Sequence, residues 1–369
     1  MFEPAPYRRL LPLAAVLVGL AVPHSAAADK PDVRLDVHGQ VRHIVAGAVD
    51  DPATGDDESA LPTRNELLLR RLRLGAKAKR GDVRARLLFA VDRGKPRLLT
   101  GTLRWKLRRG LDLELGQHKR LLSQGYLDSS KHQRLPERAE LHDDFGGNRD
   151  IGLSLRIRPT RRLDLRLAVW NGAGANVVGN DTGRLWVEGR GTLRLGSRFS
   201  TEDARIGKRF AALLGLAGVS GRKSAVRSDK NGLLTRADDH LGASAFLALR
   251  WRRVEARFEV LWSSDTPVDA RNDTSTAFGL TATSQLGAVA QIAWQPFATV
   301  ELVARYAHHD VDRDDPDRWG RVLEAGVGWR PDKDDARKLQ VAVQQEQDGR
   351  KGGQTYDRLR LLTQLQWSF

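Results

Sequence analysis

The sequence predicts an all-β chain, a transmembrane antiparallel β-barrel of about 16 strands. Three observations carry that prediction. Strand-length segments alternate at period two between an apolar face and a charged one, as two-faced strands do. Five tryptophans, Trp105, Trp251, Trp294, Trp329 and Trp367, all fall on the apolar parity. The final segment places Leu359, Leu361, Thr363, Leu365, Trp367 and Phe369 on one side and Arg358, Arg360, Leu362, Gln364 and Gln366 on the other. A wide barrel needs such strands, because one face of each meets lipid and the other meets water.

The first residues read as a secretory signal. Arg8 and Arg9 form a positive start, Leu10 to Val22 an apolar core, and Pro23, His24 and Ser25 a polar stretch before Ala26-Ala27-Ala28. Cleavage is expected before Asp29, which divides the chain into a signal peptide, 1–28, and a barrel domain, 29–369. The apolar core is short for a spanning helix, and no second long apolar stretch follows. The chain has no cysteine, which leaves out disulfides and thiolate metal sites. Charged residues make up 29%, with mean hydropathy −0.46 and a formal charge of +15. That charge could suggest nucleic acid, but export argues against such a partner, and half of every barrel strand must be polar in any case.

The strands follow in order, with approximate starts at 33, 66, 83, 97, 111, 150, 162, 183, 208, 239, 253, 278, 298, 319, 338 and 356. In the second, Leu72, Leu74, Ala76 and Ala78 oppose Arg71, Arg73, Lys77 and Lys79. Arg70 breaks the alternation and marks either an interface position or a bulge. In the third, Val83, Ala85, Leu87, Phe89 and Val91 oppose Arg84 and Arg86. In the fourth, Leu99, Gly101, Leu103, Trp105 and Leu107 oppose Thr100, Thr102, Arg104 and Lys106. Further on, Ile151, Leu153, Leu155 and Ile157 oppose Ser154, Arg156 and Arg158, and Leu163 to Val169 oppose Asp164, Arg166 and Trp170. Residues 196–222 are the least clear, and Arg205 to Arg209 fit loop or strand. An even count puts both termini on the periplasmic side. Short turns then fall at Arg80-Gly81, Arg108 to Gly110, Pro159 to Arg161, Arg252 and Gln295-Pro296. Outer loops fall at Val49–Leu61, Lys119–Arg149, Ser263–Thr274 and Asp310–Asp317. The five tryptophans then sit at the ends of even-numbered strands, forming an aromatic girdle at one rim.

A terminal strand closing on Phe369 resembles the last strand of bacterial outer-membrane barrels, in which the terminal aromatic is part of the signal read by the barrel-assembly machinery. Trp367 and Phe369 are the residues matching that signal. Several segments resemble the phosphate-selective porin O/P family. They are Leu69 to Lys77, Leu115-Gly116-Gln117-His118-Lys119, Ser129-Ser130 followed by Glu137-Arg138, Arg149 to Leu153, Trp170 to Gly174, and Glu301 to Tyr306. The matches keep their order over most of the mature chain. The resemblance implies a sixteen-stranded channel, usually a homotrimer, whose long third loop folds into the pore and narrows it. The family's "PFG" is replaced here by Leu121-Leu122-Ser123.

Ten basic residues have lumen parity: Arg71, Arg73, Lys77, Arg84, Arg86, Arg104, Lys106, Arg156, Arg166 and Arg305. The third loop supplies Lys119, Arg120, Lys131, Arg134, Arg138 and Arg149 as constriction candidates, nearly balanced by Asp128, Glu137, Glu140, Asp143 and Asp144. A phosphate constriction calls for a clear cationic excess, which this loop lacks. The expected function is passive diffusion of small anions across a bacterial outer membrane, with phosphate and polyphosphate as candidate solutes and a general anion porin as the alternative. The expected surroundings are outer-membrane lipid and lipopolysaccharide, with no cofactor, no metal and no nucleic acid. An outer-membrane enzyme or a structural barrel is the rival class. His308-His309-Asp310 and His142-Asp143-Asp144 are the only groups suggestive of catalysis, and no nucleophile elbow or phosphate loop accompanies them.

Overall fold

The computed structural model describes residues 32–50, 64–92, 95–145, 149–177, 179–180, 183–203, 205–229, 232–267, 282–313, 315, 317–332, 336–350 and 354–369. The expected signal segment 1–28 lies outside them. Sixteen antiparallel strands close into one barrel, each paired with its neighbours in sequence and β1 (Asp32–Asp50) paired with β16 (Gln354–Ser368). The others are β2 (Arg64–Arg80), β3 (Val83–Asp92), β4 (Lys95–Arg108), β5 (Leu111–Lys119), β6 (Arg149–Ile157), β7 (Leu163–Trp170), β8 (Trp186–Gly196), β9 (Ala211–Asp229), β10 (Gly232–Trp251), β11 (Val254–Pro267), β12 (Thr283–Trp294), β13 (Val300–Asp310), β14 (Trp319–Trp329) and β15 (Arg337–Arg350).

The alternation seen in the sequence is the alternation of the two surfaces. Leu35 and Leu67 are 75% and 74% exposed, and Trp105, Trp251, Trp294 and Trp329 are exposed on the same outer face. An apolar belt of this kind around a closed barrel is stable only against lipid. The fifth tryptophan, Trp367, is half-buried at the seam. It pairs with Gly39 across the closure, and its ring fills the space a side chain would need there, since a Cβ on Gly39 would lie 2.2 Å from it. An aromatic lying over a cross-strand glycine is a known way to pin register. Phe369 completes the seam: its amide donates to the Val37 carbonyl at 2.9 Å, its own carbonyl accepts from the Val37 amide at 3.1 Å, and its ring is exposed on the outer face.

Arg70 is a bulge residue. The pairing passes from Val41–Leu69 to Gln40–Arg71, and Arg70 is left over. The extra residue shifts the alternation, so Leu67 and Leu69 face out before it and Leu74 after it.

Other boundaries differ from expectation. Arg205 to Arg209 belong to a connection, and β9 starts at Ala211. Ser263–Pro267, expected as outer loop, continues β11 because β10 reaches back to Gly232 and pairs with it. Ser263 and Asp265 face inward and are buried, with Asp265 2.6 Å from the His240 ring nitrogen.

The segment between β5 and β6, here called L3, folds inside the barrel. It carries two short helices, α1 (Gln124–Leu127) and α2 (Leu141–Asp144), and a 3-10 turn at Ser130–His132. Its apolar residues meet the inner wall at separate points. Leu121 and Leu122 pack with Trp170, Trp186 and Val219. Leu135 packs with Ala293, Val303 and Ala342. Leu141 and Phe145 pack with Leu261, Val289 and Ala307. Two wall glycines make room: a Cβ at Gly287 would lie 2.8 Å from the Phe145 ring, and one at Gly326 would lie 2.9 Å from Leu135.

The two faces can be read out with single cysteines, since the chain has none of its own. A water-soluble thiol reagent should label Arg104→Cys and Arg156→Cys in a folded barrel and spare Leu103→Cys and Leu155→Cys. Leu103→Arg should cost about 2–4 kcal/mol if it lies near the bilayer midplane. Reversed labelling would refute this register.

Candidate functional site

Four residues of L3, Arg134 to Glu137, span two ion clusters of opposite design. The Arg134 guanidinium is buried against β11 and β13. It donates twice to Glu255 at 3.0 Å and also to Glu301. Burial opposes its charge, but Glu255 and Glu301 more than offset that and hold its pKa above the usual arginine value. Glu137 faces β1 and β2, where it accepts from Arg42, from Arg70 at 2.5 Å and from Arg71 at 2.9 Å. Burial would raise its pKa, yet Arg71, Arg42 and Arg70 outweigh burial and keep it below the usual carboxylate range. The bulge makes this cluster possible, because it turns the adjacent Arg70 and Arg71 toward one carboxylate.

Further bonds complete the docking. The Gln124 and Gly125 amides donate to Glu259 at 2.7 and 2.9 Å. Lys338 donates to the Gln133 carbonyl at 2.5 Å, Gln366 to the Lys131 carbonyl at 2.9 Å and Arg305 to the Glu137 carbonyl at 2.9 Å. L3 is thus tied to β1, β2, β6, β8, β10, β11, β13, β15 and β16, and no described hydrogen bond or ion pair joins it to β3 or β4.

The loop's basic residues divide accordingly. Lys119 donates to the Tyr126, Leu127 and Asp128 carbonyls at 2.7, 2.8 and 2.9 Å. Arg120 pairs with the buried Asp150 at 2.6 Å and stacks 4.0 Å over the Trp186 ring. With Arg134, these three are anchors of the loop, a use that sequence parity does not reveal. Lys131 is half-buried. Arg138 lies 4.7 Å over the Tyr126 ring and 3.5 Å from Asp143, which is exposed. Arg149 donates to the Thr100 hydroxyl at 2.5 Å.

On the wall, Arg71 and Arg305 are used in holding L3, Arg305 also pairing with Glu324. Arg73 donates to Ser130 at 2.6 Å. Lys77 pairs with Asp36, Arg104 with Asp112 at 2.7 Å, Arg156 and Arg166 with Asp164, and Lys106 lies 3.8 Å from Asp82. Arg84 and Arg86 are exposed on β3 and make no ion pair among the described residues. Many inner-face acids are spent in pairs: Asp112 on Arg104 and Arg158, Glu255 on Arg134, Arg250 and Arg257, and Glu301 on Arg134 and Arg330.

The two suggestive histidine groups do approach each other. His309 lies 3.3 Å from Asp144, and its ring is 5.0 Å from Phe145. They border a cavity of about 300 Å3 with Glu140, Glu346 and Asp348, and its described lining contains no serine, threonine or cysteine. His142 lies 2.9 Å from Ser123 and 3.7 Å from Glu259. That trio has the residue types of a hydrolase triad, but Ser123 and Glu259 approach the same ring nitrogen, so no proton relay runs from one to the other. All three are buried. Burial first, then Arg138 and Arg305, lowers the His142 pKa to about 3, leaving a neutral ring that packs against Gly125.

No family model matches the sequence, and no curated relative does. Solved structures do resemble the fold. An anion-selective porin from Comamonas acidovorans aligns with a TM-score of 0.59 at 11% identity, over 92% of this chain and 100% of that one. The outer-membrane channel DcaP of Acinetobacter baumannii aligns at 0.58 and 14%, over 94% and 99%. OmpT of Vibrio cholerae, in its trimer form, aligns at 0.58 and 10%, over 92% and 100%. The chain has the closed sixteen-stranded barrel fold seen in these outer-membrane proteins.

Proposed function

We propose that the protein is an outer-membrane porin through which small anions diffuse passively. The observation that carries this reading is the exposed Arg84 and Arg86 of β3, unpaired among the described residues, beside Arg104 and Lys106 of β4, whose partners are Asp112 and Asp82, while the charges of L3 are largely spent on docking. A positive lining lowers the entry barrier for anions and raises it for cations. The apolar belt and the likeness to outer-membrane channels, one of them described as anion-selective, support the same reading. A signal peptide at 1–28, periplasmic placement of the barrel end that holds both termini, recognition of Trp367 and Phe369 by the assembly machinery, and a homotrimer are parts of the proposal.

The resemblance to the phosphate-selective porin O/P family makes phosphate or polyphosphate a candidate solute. The geometry favours the broader reading. Lys119 and Arg134 have their donors committed to carbonyls and carboxylates, and Arg120 is buried between Asp150 and the Trp186 ring, so these three form no phosphate cradle while the loop is docked.

In a salt gradient, the reversal potential should lie on the anion side at low salt. It should drift toward neutrality as the Debye length shrinks from about 10 Å at 0.1 M to about 3 Å at 1 M. Replacing Arg84 and Arg86 by Glu should move it toward the cation side. A cation-selective wild type would end the proposal.

The Glu137 cluster gives a separate prediction. Glu137→Gln leaves Arg42 and Arg71 buried without their carboxylate, a loss of about 3–5 kcal/mol from loop docking. Single-channel records should become noisier and show larger conductance steps. The sign for pH follows from the depressed folded pKa: the stabilisation is complete above the ordinary value of 4.5 and fades only as pH falls through the lower folded value. Wild-type current should therefore stay quiet as pH passes 4.5. Fluctuations in wild type that set in above 4.5 would show that Glu137 does not hold the loop.

A further inference from the structure

The connection from β8 to β9, residues 197–210, is the longest at the barrel end that holds the termini; the next, 330–336, is half as long. It also folds inward. Phe199 is buried with Ala211, Leu213, Phe246 and Ala248, and Arg250 stacks 4.2 Å over its ring. Its tip is joined to L3. The Ser129 amide donates to Glu202 at 2.7 Å, and the Thr201 hydroxyl donates to Asp128 at 2.6 Å. Arg257 bridges the two segments, donating to the Thr201 carbonyl at 2.6 Å and to Asp128 at 2.9 Å.

This segment, L3 and strands β6 to β9 enclose a cavity of about 300 Å3 lined by four arginines, Arg156, Arg166, Arg190 and Arg194. Its acids are already engaged. Asp164, buried, receives Arg156 through bonds of 2.9 and 3.1 Å, Asp128 receives Arg257 and Thr201, and Glu202 receives the Ser129 amide. Arg190 donates to the Leu121 carbonyl at 2.9 Å and to Gln124. Two guanidinium groups keep donors to spare. Arg166 has one described bond, at 3.5 Å, and the Arg194 side chain has none among the described residues. Asp164 joins Arg156 and Arg166, whereas Arg194 makes no ion pair among the described residues, and a planar guanidinium fork fits an oxyanion with two acceptor oxygens better than it fits chloride.

We propose that this cavity is an oxyanion-binding subsite, sized for inorganic phosphate or a short dicarboxylate, in which Arg194 and Arg166 supply the free donors. The proposal deepens the anion-porin reading and rests on it for the route by which solute arrives.

The test is isothermal titration of the purified wild-type barrel, at constant chloride, with inorganic phosphate and with succinate in separate runs. At least one probe should bind saturably at millimolar concentration or tighter. Arg194→Gln and Arg166→Gln should each weaken that binding by about tenfold, the loss expected for a charge-assisted hydrogen bond. Heat-modifiable gel mobility checks that each variant is folded, and either variant alone suffices. Arg84→Gln, on β3 and outside the cavity lining, should lower chloride selectivity and leave the titration unchanged. No saturable binding of either probe, or binding that folded Arg194→Gln and Arg166→Gln both retain in full, overturns the subsite. Binding that depends on Arg194 in a channel found to be cation-selective supports the subsite and overturns the anion-selective reading instead.

Discussion

The inside of this barrel depends on a pair of ion clusters of opposite sign set on one short stretch of L3. Arg134 enters a wall of glutamates, and Glu137 enters a wall of arginines. Between them stand only Leu135 and Pro136. Each cluster is costly to desolvate and repays that cost only while its members stay together. The loop therefore has two electrostatic addresses of opposite sign, and exchanging them would set like charges against each other at both. Apolar contacts at Leu135 and Phe145, seated over Gly326 and Gly287, add fit without specifying direction.

The clamp also settles where charge is left over. Inner-face acids and a good share of the inner-face arginines cancel in short-range pairs, which have little reach into solution. Arg84 and Arg86 on β3 are exposed and stay outside these pairs among the described residues, so their charge reaches into solution. A composition of 61 basic and 46 acidic residues says nothing about this division, which depends on which partners lie within hydrogen-bonding range.

Strand count, order and facing were legible in the sequence because a period of two is local: Leu72 and Arg73 point opposite ways whatever the rest of the chain does. The length of L3 was legible for the same reason, as a break in the alternation between Lys119 and Arg149. Its conformation was not. Arg134 finds Glu255 and Glu301 at separations of 121 and 167 residues, and no pattern around position 134 distinguishes an anchor from a pore-lining cation. The inward connection at 197–210 was hidden because Phe199 and Ile206 are isolated apolar residues in a polar stretch. The extension of β10 and β11 was missed because Asp238, Asp239 and Asp265 look like loop residues, although Asp238 and Asp265 are buried toward the lumen.

The bonds that dock L3 come from strands at both ends of the chain. Arg42 lies on β1, Arg71 on β2, Lys338 on β15 and Gln366 on β16. None of these partners surrounds the loop until the last strand has met the first. While the sheet is open, Arg42 and Arg71 are separated from Lys338 and Gln366, and only the partners on β6 to β13 are in place. Seam closure under Trp367 therefore completes the loop's docking set. The full set of contacts on L3 is thus coupled to the longest-range pairing in the molecule.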